Sequence, residues 1–317
     1  MARVAVLGAG GMGSAFAAYL ARDGHDVQII GRGGPHIEAI ARVGLTVRPP
    51  TGPEYAAAVT ARVHGSQAPP ASADLLIVLT KTFDTGPAAE SAAHALSPDG
   101  VVVSLQNGLG NDEQLATVFG GERALVGVTT VGAARQEPGV ISLSAMTAAG
   151  RTLTEFGLTG VCAGAARGAE LAGLLTAAGL PAVFRPNVEA ALWGKLAMAV
   201  MSPVSAVLQR TVGQVWRHAA GRELVRQMFD EVVQVAAAEG VLLNAESAWT
   251  HAVSTFEGTG EHYTSMCTDV MLGRPTELHS MACEVARRGA RRGLDLPAHQ
   301  VVLRMLATMD VTAGEDQ

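Results

Sequence analysis

Val4-Ala5-Val6-Leu7-Gly8-Ala9-Gly10-Gly11-Met12-Gly13 stands at the head of the chain, and its reading decides the fold. Four apolar residues in a row read as a short strand buried on both faces. The glycines that follow fit G-x-G-x-x-G at Gly8, Gly10 and Gly13. In a strand–turn–helix setting Gly8 permits the tight turn. Gly10 lets the backbone approach a pyrophosphate, and Gly13 lets helix and strand pack closely. With Gly11 and Met12 between them, the turn would open a helix whose N-terminal N–H groups and positive dipole end suit phosphates. Ser14–Arg22 continues as that helix. The spacing alone is weak, because a Gly- and Ala-rich chain produces it by chance. The strand before it and the helix after it distinguish a dinucleotide turn from a plain tight turn. Arg3 and the apolar run also resemble a signal peptide, but the glycines interrupt that run and suit the nucleotide turn better.

Outward from this stretch, short apolar runs alternate with helical patterns. Asp26–Ile30, Leu75–Leu79, Val101–Leu105 and Ala124–Val128 read as further strands. Continuous rather than alternating apolar strands imply a parallel sheet covered on both faces, and the interleaved helices make it doubly wound. Ala166–Ala178 reads as a helix ended by Gly179, and Ala182–Phe184 as a last strand. After Pro186 the pattern is helical throughout. Glu223–Glu239, Ala245–Phe256, His262–Met271, Leu278–Arg292 and a final helix from Pro297 to about Asp310 are expected. Pro275 is expected at a helix start. The fold class is therefore α/β: an N-terminal Rossmann-type doubly wound parallel sheet, residues 1–186, and an all-helical C-terminal domain, residues 187–317. The active site is expected in the cleft between them.

Composition agrees with a large folded chain. The 317 residues exceed the ~100–200 of one domain. Apolar residues make up 48% and charged residues 16%, the latter below the usual level of about 25%. A net charge of −6 gives no support for nucleic-acid or membrane-surface partners. No run of about 18 uninterrupted apolar residues suggests a membrane span. Cys162, Cys267 and Cys283 are odd in number and scattered, so neither a disulfide framework nor a metal site is expected, and a reducing, cytoplasmic setting is the default. Nine histidines show no metal-ligand spacing.

Two kinds of polar residue sit where ligands would be met. The second strand ends Ile29-Ile30-Gly31-Arg32 and lacks the acid that would hold the ribose hydroxyls of NAD. A guanidinium there would instead pair with a 2′-phosphate, so NADPH is the expected cofactor unless Arg32 is an ordinary loop residue. Lys81 and Asn107 follow strand ends, where open α/β sheets bind ligands; each reads equally as a solvated loop residue. In the helical part, Leu192-Trp193-Gly194-Lys195-Leu196 places a lysine in an apolar helix, where it reads as a snorkelling side chain. Arg274-Pro275-Thr276-Glu277-Leu278 places a carboxylate at a helix start, where it reads as dipole complementation. Arg287, Arg288, Arg291 and Arg292 read as a solvated face or an anion-favouring patch.

Together these pieces resemble the ketopantoate reductases (2-dehydropantoate 2-reductases). The matching stretches are Gly8–Gly13 with Arg32, Lys81, Asn107-Gly108-Leu109-Gly110, Leu192–Leu196, Thr264-Ser265-Met266 with Asp269, Arg274–Glu277, and Gly293–Pro297. They follow the family's order over nearly the whole chain. The resemblance implies NADPH-dependent reduction of a 2-oxo acid to a D-2-hydroxy acid. It makes Lys195 the proton donor and Glu277 the acid that positions it. Ser265 would hold the substrate, Asn107 and Lys81 would line the nicotinamide and substrate region, and Arg32 would meet the 2′-phosphate. A homodimer is an allowed assembly.

The chain also departs from the family. Where asparagines are expected one and two turns after the catalytic lysine stand Met198 or Ala199, and then Ser202. A third expected asparagine, three residues before Ser265, is His262, and Cys283 replaces a small residue. These changes weaken the claim of 2-dehydropantoate itself, since a site built to bond a hydroxyl discriminates through that bond. A specialised dehydrogenase acting on a bulkier or more apolar oxo substrate is the alternative. A silent NADPH-binding sensor is the third reading, opposed by the retained Lys195 and Glu277.

Overall fold

The computed structural model describes residues 1–63, 68–144, 153–159 and 165–309. The chain divides into two units. One comprises Met1–Gln106 and Gly110–Val188; the other comprises Asn107–Leu109 and Glu189–Gln317.

In the first unit twelve strands are described: β1 Arg3–Leu7, β2 Asp26–Gly31, β3 Leu45–Arg48, β4 Tyr55–Ala57, β5 Thr60–Val63, β6 Ala73–Val78, β7 Leu96–Ser104, β8 Ala124–Thr129, β9 Ala133–Glu137, β10 Val140–Leu143, β11 Thr154–Gly157 and β12 Ala182–Arg185. The helices are α1 Gly11–Arg22, α2 Pro35–Val43, α3 Thr85–Ala92, α4 Asn111–Phe119 and α5 Ala165–Ala177. Eight strands form one sheet in the order β12-β11-β8-β7-β6-β1-β2-β5. The run from β8 to β5 is parallel throughout, while β11 is antiparallel to β8 and parallel to β12.

The apolar runs are continuous because both faces are covered. Val4 and Val6 of β1, with Leu75 and Ile77 of β6, join one core with Phe16, Leu20, Leu171 and Leu175. Their neighbours Ala5, Leu7, Leu76 and Val78 join the other, with Ala88, Ala92 and Leu115. The two-residue period of a strand sends successive side chains to opposite cores, and each needs an apolar residue.

A second, four-stranded sheet, in the order β4-β3-β10-β9, lies against α1. Sequence reading did not expect it. Its strands have three to five residues, too few for a period to be recognised. It explains why α1 is alanine-rich: Ser14, Ala15, Phe16, Ala17, Ala18 and Leu20 are all buried. A helix wedged between two sheets has no solvent face for polar residues. His36 at the start of α2 ties these layers together. Its Nδ1 accepts from Gly139 N at 2.9 Å and its Nε2 lies 3.1 Å from Ser14 Oγ. Burial, first, and the nearby Arg135 lower its pKa, which favours the neutral ring this pattern needs.

The second unit contains only helices among its described elements: α6 Glu189–Met198, α7 Met201–Leu208, α8 Val212–Arg217, α9 Ala219–Ala238, α10 Ala245–Thr259, α11 Ser265–Met271, α12 Glu284–Arg291 and α13 Pro297–Ala307. A π-helical turn, His279–Cys283, leads into α12. Helix α9 buries Val225, Met228, Phe229, Val232, Val235 and Ala236, the three-and-four spacing of a core face. Glu231 on the same helix caps α13 from a distance. Its carboxylate accepts from Ala298 N at 2.8 Å and His299 N at 2.9 Å, donors that a helix N-terminus leaves open.

Two expectations are corrected. Pro275 does not start a helix: residues 274–278 precede the π turn, so Glu277 lies before the first helical turn and not in it. His262 precedes α11, whose N-cap is Thr264 with its hydroxyl accepting from Cys267 N. Asp310, the expected end of the last helix, and Cys162 lie outside the described residues. One stretch among the described residues, Glu189–Leu208, is long and apolar enough to cross a membrane, and 56% of its most apolar window is buried.

Candidate active site

The glycine turn has the geometry its spacing implied. Gly8 has φ +105°, and a Cβ there would stand 2.6 Å from the Leu79 backbone. A Cβ on Gly13 would stand 1.8 Å from Gly8 O, so helix and turn meet at a distance only glycine allows. Gly10 differs: it is exposed, and a Cβ there would meet nothing within 4 Å. No contact within the protein requires glycine at that position, whereas a pyrophosphate laid on the backbone would. Gly10 is also the N-cap of α1 and provides no side-chain cap. The N–H groups of the first turn, Gly11 to Gly13, are thereby left for a ligand. The turn fits a dinucleotide.

Arg32 follows β2 and is exposed, with its Nη1 3.2 Å from Asp84 Oδ2. Solvated ion pairs are worth little, typically ~0–1 kcal/mol, so a phosphate would compete easily for this guanidinium. Asp84 ends the 3₁₀ turn that Lys81 opens, and Asp84 N donates to Lys81 O at 2.9 Å.

Gln106 was not singled out by sequence reading, yet it holds two strand ends together. It is buried. Its Nε2 donates to Thr80 O at 2.9 Å, Thr80 Oγ1 at 3.1 Å and Thr85 Oγ1 at 2.8 Å, and its Oε1 accepts from Ser104 Oγ at 2.8 Å. It thereby locks the ends of β6 and β7, beside which Lys81 and Asn107 stand. The available signal was an amide directly after a buried strand, a place where a polar side chain needs partners.

In the helical unit, Lys195, Glu277 and Asn107 are brought together. Lys195 lies on α6 among buried Leu192, Trp193, Leu196 and Ala197. Lys195 itself is half-buried. Burial pushes its pKa down to about 8, and the Glu277 carboxylate partly opposes that fall. Asn107 Nδ2 donates to Glu277 Oε2 at 3.4 Å. Ser265 is the exposed first residue of α11, His262 is exposed, and Ser202 is half-buried on α7. Among the described residues these three are not hydrogen-bonded through their side chains to Lys195 or Glu277.

The chain has 21 arginines and only two lysines, Lys81 and Lys195. An ammonium is retained only at the two candidate positions. This fits a proton carrier, because guanidinium cannot give up its proton in a protein. The arginine cluster on α12 serves structure instead. Arg288 and Arg292 pair with Glu239, and Arg287 and Arg288 pair with Glu284.

Two family profiles match this chain: ketopantoate reductase PanE/ApbA over residues 4–155, and ketopantoate reductase PanE/ApbA C terminal over residues 187–310. The chain belongs to the ketopantoate reductase family. Among its relatives is the 2-dehydropantoate 2-reductase of Halobacterium salinarum, 32% identical over 318 residues, 99% of each chain. The crystal structure of a PanE/ApbA family ketopantoate reductase from Ralstonia eutropha JMP134 superposes with a TM-score of 0.85 at 29% identity, covering 96% of this chain and 97% of that one. D-mandelate dehydrogenase, solved with NADH and anilino(oxo)acetate, superposes at 0.88 over the same shares with 24% identity, a likeness of fold. As a ketopantoate reductase family member the chain is an oxidoreductase acting on a CH–OH/C=O pair.

Replacing Gln106 with leucine removes four hydrogen bonds and leaves Thr80 Oγ1 and Thr85 Oγ1 without this donor. Loss of about 1–3 kcal/mol of stability is expected, read as a lower urea midpoint at unchanged slope.

Proposed function

We propose that the protein reduces a 2-oxo acid to a D-2-hydroxy acid with NADPH. The observation that carries this reading is Lys195, an ammonium in an apolar helix with a pKa of about 8 and a carboxylate beside it. NADPH, when bound, supplies the hydride to the carbonyl carbon. Gly8 to Gly13 would hold its pyrophosphate, Arg32 its 2′-phosphate, and Lys81 and Asn107 would line the region of the nicotinamide and substrate.

The proton is the protein's own contribution. Lys195 Nζ donates it to the carbonyl oxygen as negative charge develops there, a role in which a desolvated, positioned cation is strongly stabilising. A donor with a pKa near the working pH gives up its proton more readily than an ordinary lysine at ~10.4. Glu277 keeps enough of the ammonium form present. Ser265, Ser202 and His262 are the residues proposed to meet the substrate.

A second reading concerns which oxo acid is taken. Residues three and four positions away share a helix face. The face of α6 that carries Lys195 therefore presents Ala191, Leu192, Met198 and Ala199. Carbon there favours a branched or aromatic 2-oxo acid over one that needs a hydroxyl bonded. Low-micromolar KM for ketopantoate, with turnover above that of branched and aromatic oxo acids, would contradict this second reading.

Lys195→Ala should lower kcat by about 10²–10⁴-fold while NADPH still binds, measured as absorbance loss at 340 nm and as cofactor fluorescence. In the unaltered protein, reduction needs the ammonium, so kcat should fall as pH rises through about 8. Oxidation of the hydroxy acid needs the neutral amine and should rise over the same range. Unchanged turnover in the alanine variant sinks the assignment. Arg32→Ala should weaken NADPH by roughly 10–100-fold, the worth of hydrogen bonds to a charged group, and leave NADH nearly unaffected. Equal losses for both cofactors would remove Arg32 from the phosphate site.

A further inference from the structure

Asn107, Gly108 and Leu109 follow the end of β7 but cluster with the helical unit. Their anchor is the π turn His279–Cys283, in which Cys283 N reaches back five residues to Leu278 O at 3.1 Å. Ser280 O accepts from Leu109 N at 2.9 Å. Gly108 lies so close that a Cβ on it would stand 2.1 Å from Ser280 O and 2.6 Å from Ser280 C. Those are backbone atoms, so any side chain at 108 would force the two segments apart. Its φ of +83° adds strain to such a change.

The same two segments hold Glu277 at both ends. Ser280 Oγ donates to Glu277 O at 3.1 Å, and Asn107 Nδ2 reaches Glu277 Oε2 at 3.4 Å. The reach of Asn107 is set by how closely Gly108 and Leu109 lie on Ser280. Isolated π turns are uncommon and recur at functional sites; this one carries the carbonyl on which the loop rests.

We propose that Gly108 and Ser280 form a backbone latch that fixes the Glu277 carboxylate, making both of them positioning residues for the proton donor Lys195. This rests on the reading of Lys195 and Glu277 as the catalytic pair. When the latch opens, the Asn107 amide withdraws, the carboxylate turns away, and Lys195 loses the charge that sustains its ammonium form.

The test uses Gly108→Ala and Ser280→Ala in the full chain. Two quantities are followed against pH: kcat for oxo acid reduction, and acylation of Lys195 by acetic anhydride, read by mass spectrometry. Two lysines in the chain make the second assay clean, and it does not depend on turnover. Gly108→Ala should lower kcat roughly tenfold or more and move both midpoints to lower pH. Ser280→Ala, which adds no bulk, should shift them the same way by less. Folded variants with unshifted acylation midpoints overturn the latch, even if kcat falls. Should Gly108→Ala not fold, an unshifted acylation midpoint in Asn107→Ala, which removes the amide that the latch holds on the Glu277 carboxylate, is enough to overturn it. Shifted acylation in a protein that turns over no oxo acid keeps the latch and discards the catalytic reading.

Discussion

A cation held in an apolar helix is the interaction on which the candidate site depends. Lys195 sits among Leu192, Trp193, Leu196 and Ala197, where desolvation works against its charge. Without the Glu277 carboxylate the ammonium would be still less favoured. With full hydration it would hold its proton too tightly to pass it on. The intermediate outcome, a lysine that titrates near physiological pH, needs both the burial and the carboxylate. The loop 107–109, the π turn 279–283 and the bond from Asn107 to Glu277 all bear on where that carboxylate lies.

The cofactor turn depends on a different constraint, close approach of backbones. Gly8 and Gly13 are required by atoms of the protein itself, whereas Gly10 has open space around it. Of the three, Gly10 is therefore the one that no contact within the protein requires and that a ligand approaching the backbone would. Helix α1 is presented rigidly because it is buried between two sheets. A helix fixed on both sides keeps its N-terminal amides aimed at one place, which suits phosphate binding.

Much of this was legible in the sequence because both faces of the main sheet are buried. That makes β1, β6 and the paired part of β7 uninterrupted apolar runs, bounded by turn residues. The glycine turn and the residues after strand ends followed from the same reading. What stayed hidden has physical reasons. The small sheet uses strands too short to show a period. The reversed direction of β11 leaves no mark on composition. Glu277 looked like a helix-start residue because Pro275 is a good start signal, but the chain delays its helix and enters it through a π turn. Gln106 carries only a faint local mark, its place just after a buried strand, and nothing in the sequence reveals that its amide has four partners from three other residues. The apolar surroundings of Lys195 suit a snorkelling side chain, and only the resemblance to a family points to chemistry. Its partial burial, with the Glu277 carboxylate beside it, supplies the physical basis.

The most direct measurement is a titration of the unaltered protein labelled on its lysine side chains, followed by NMR. Only Lys81 and Lys195 would contribute ammonium signals. The account predicts that the Lys195 signal moves with a midpoint at about 8. A midpoint near the ordinary lysine value of ~10.4 would contradict it, because such a lysine would be neither desolvated nor poised to give its proton to an oxo acid.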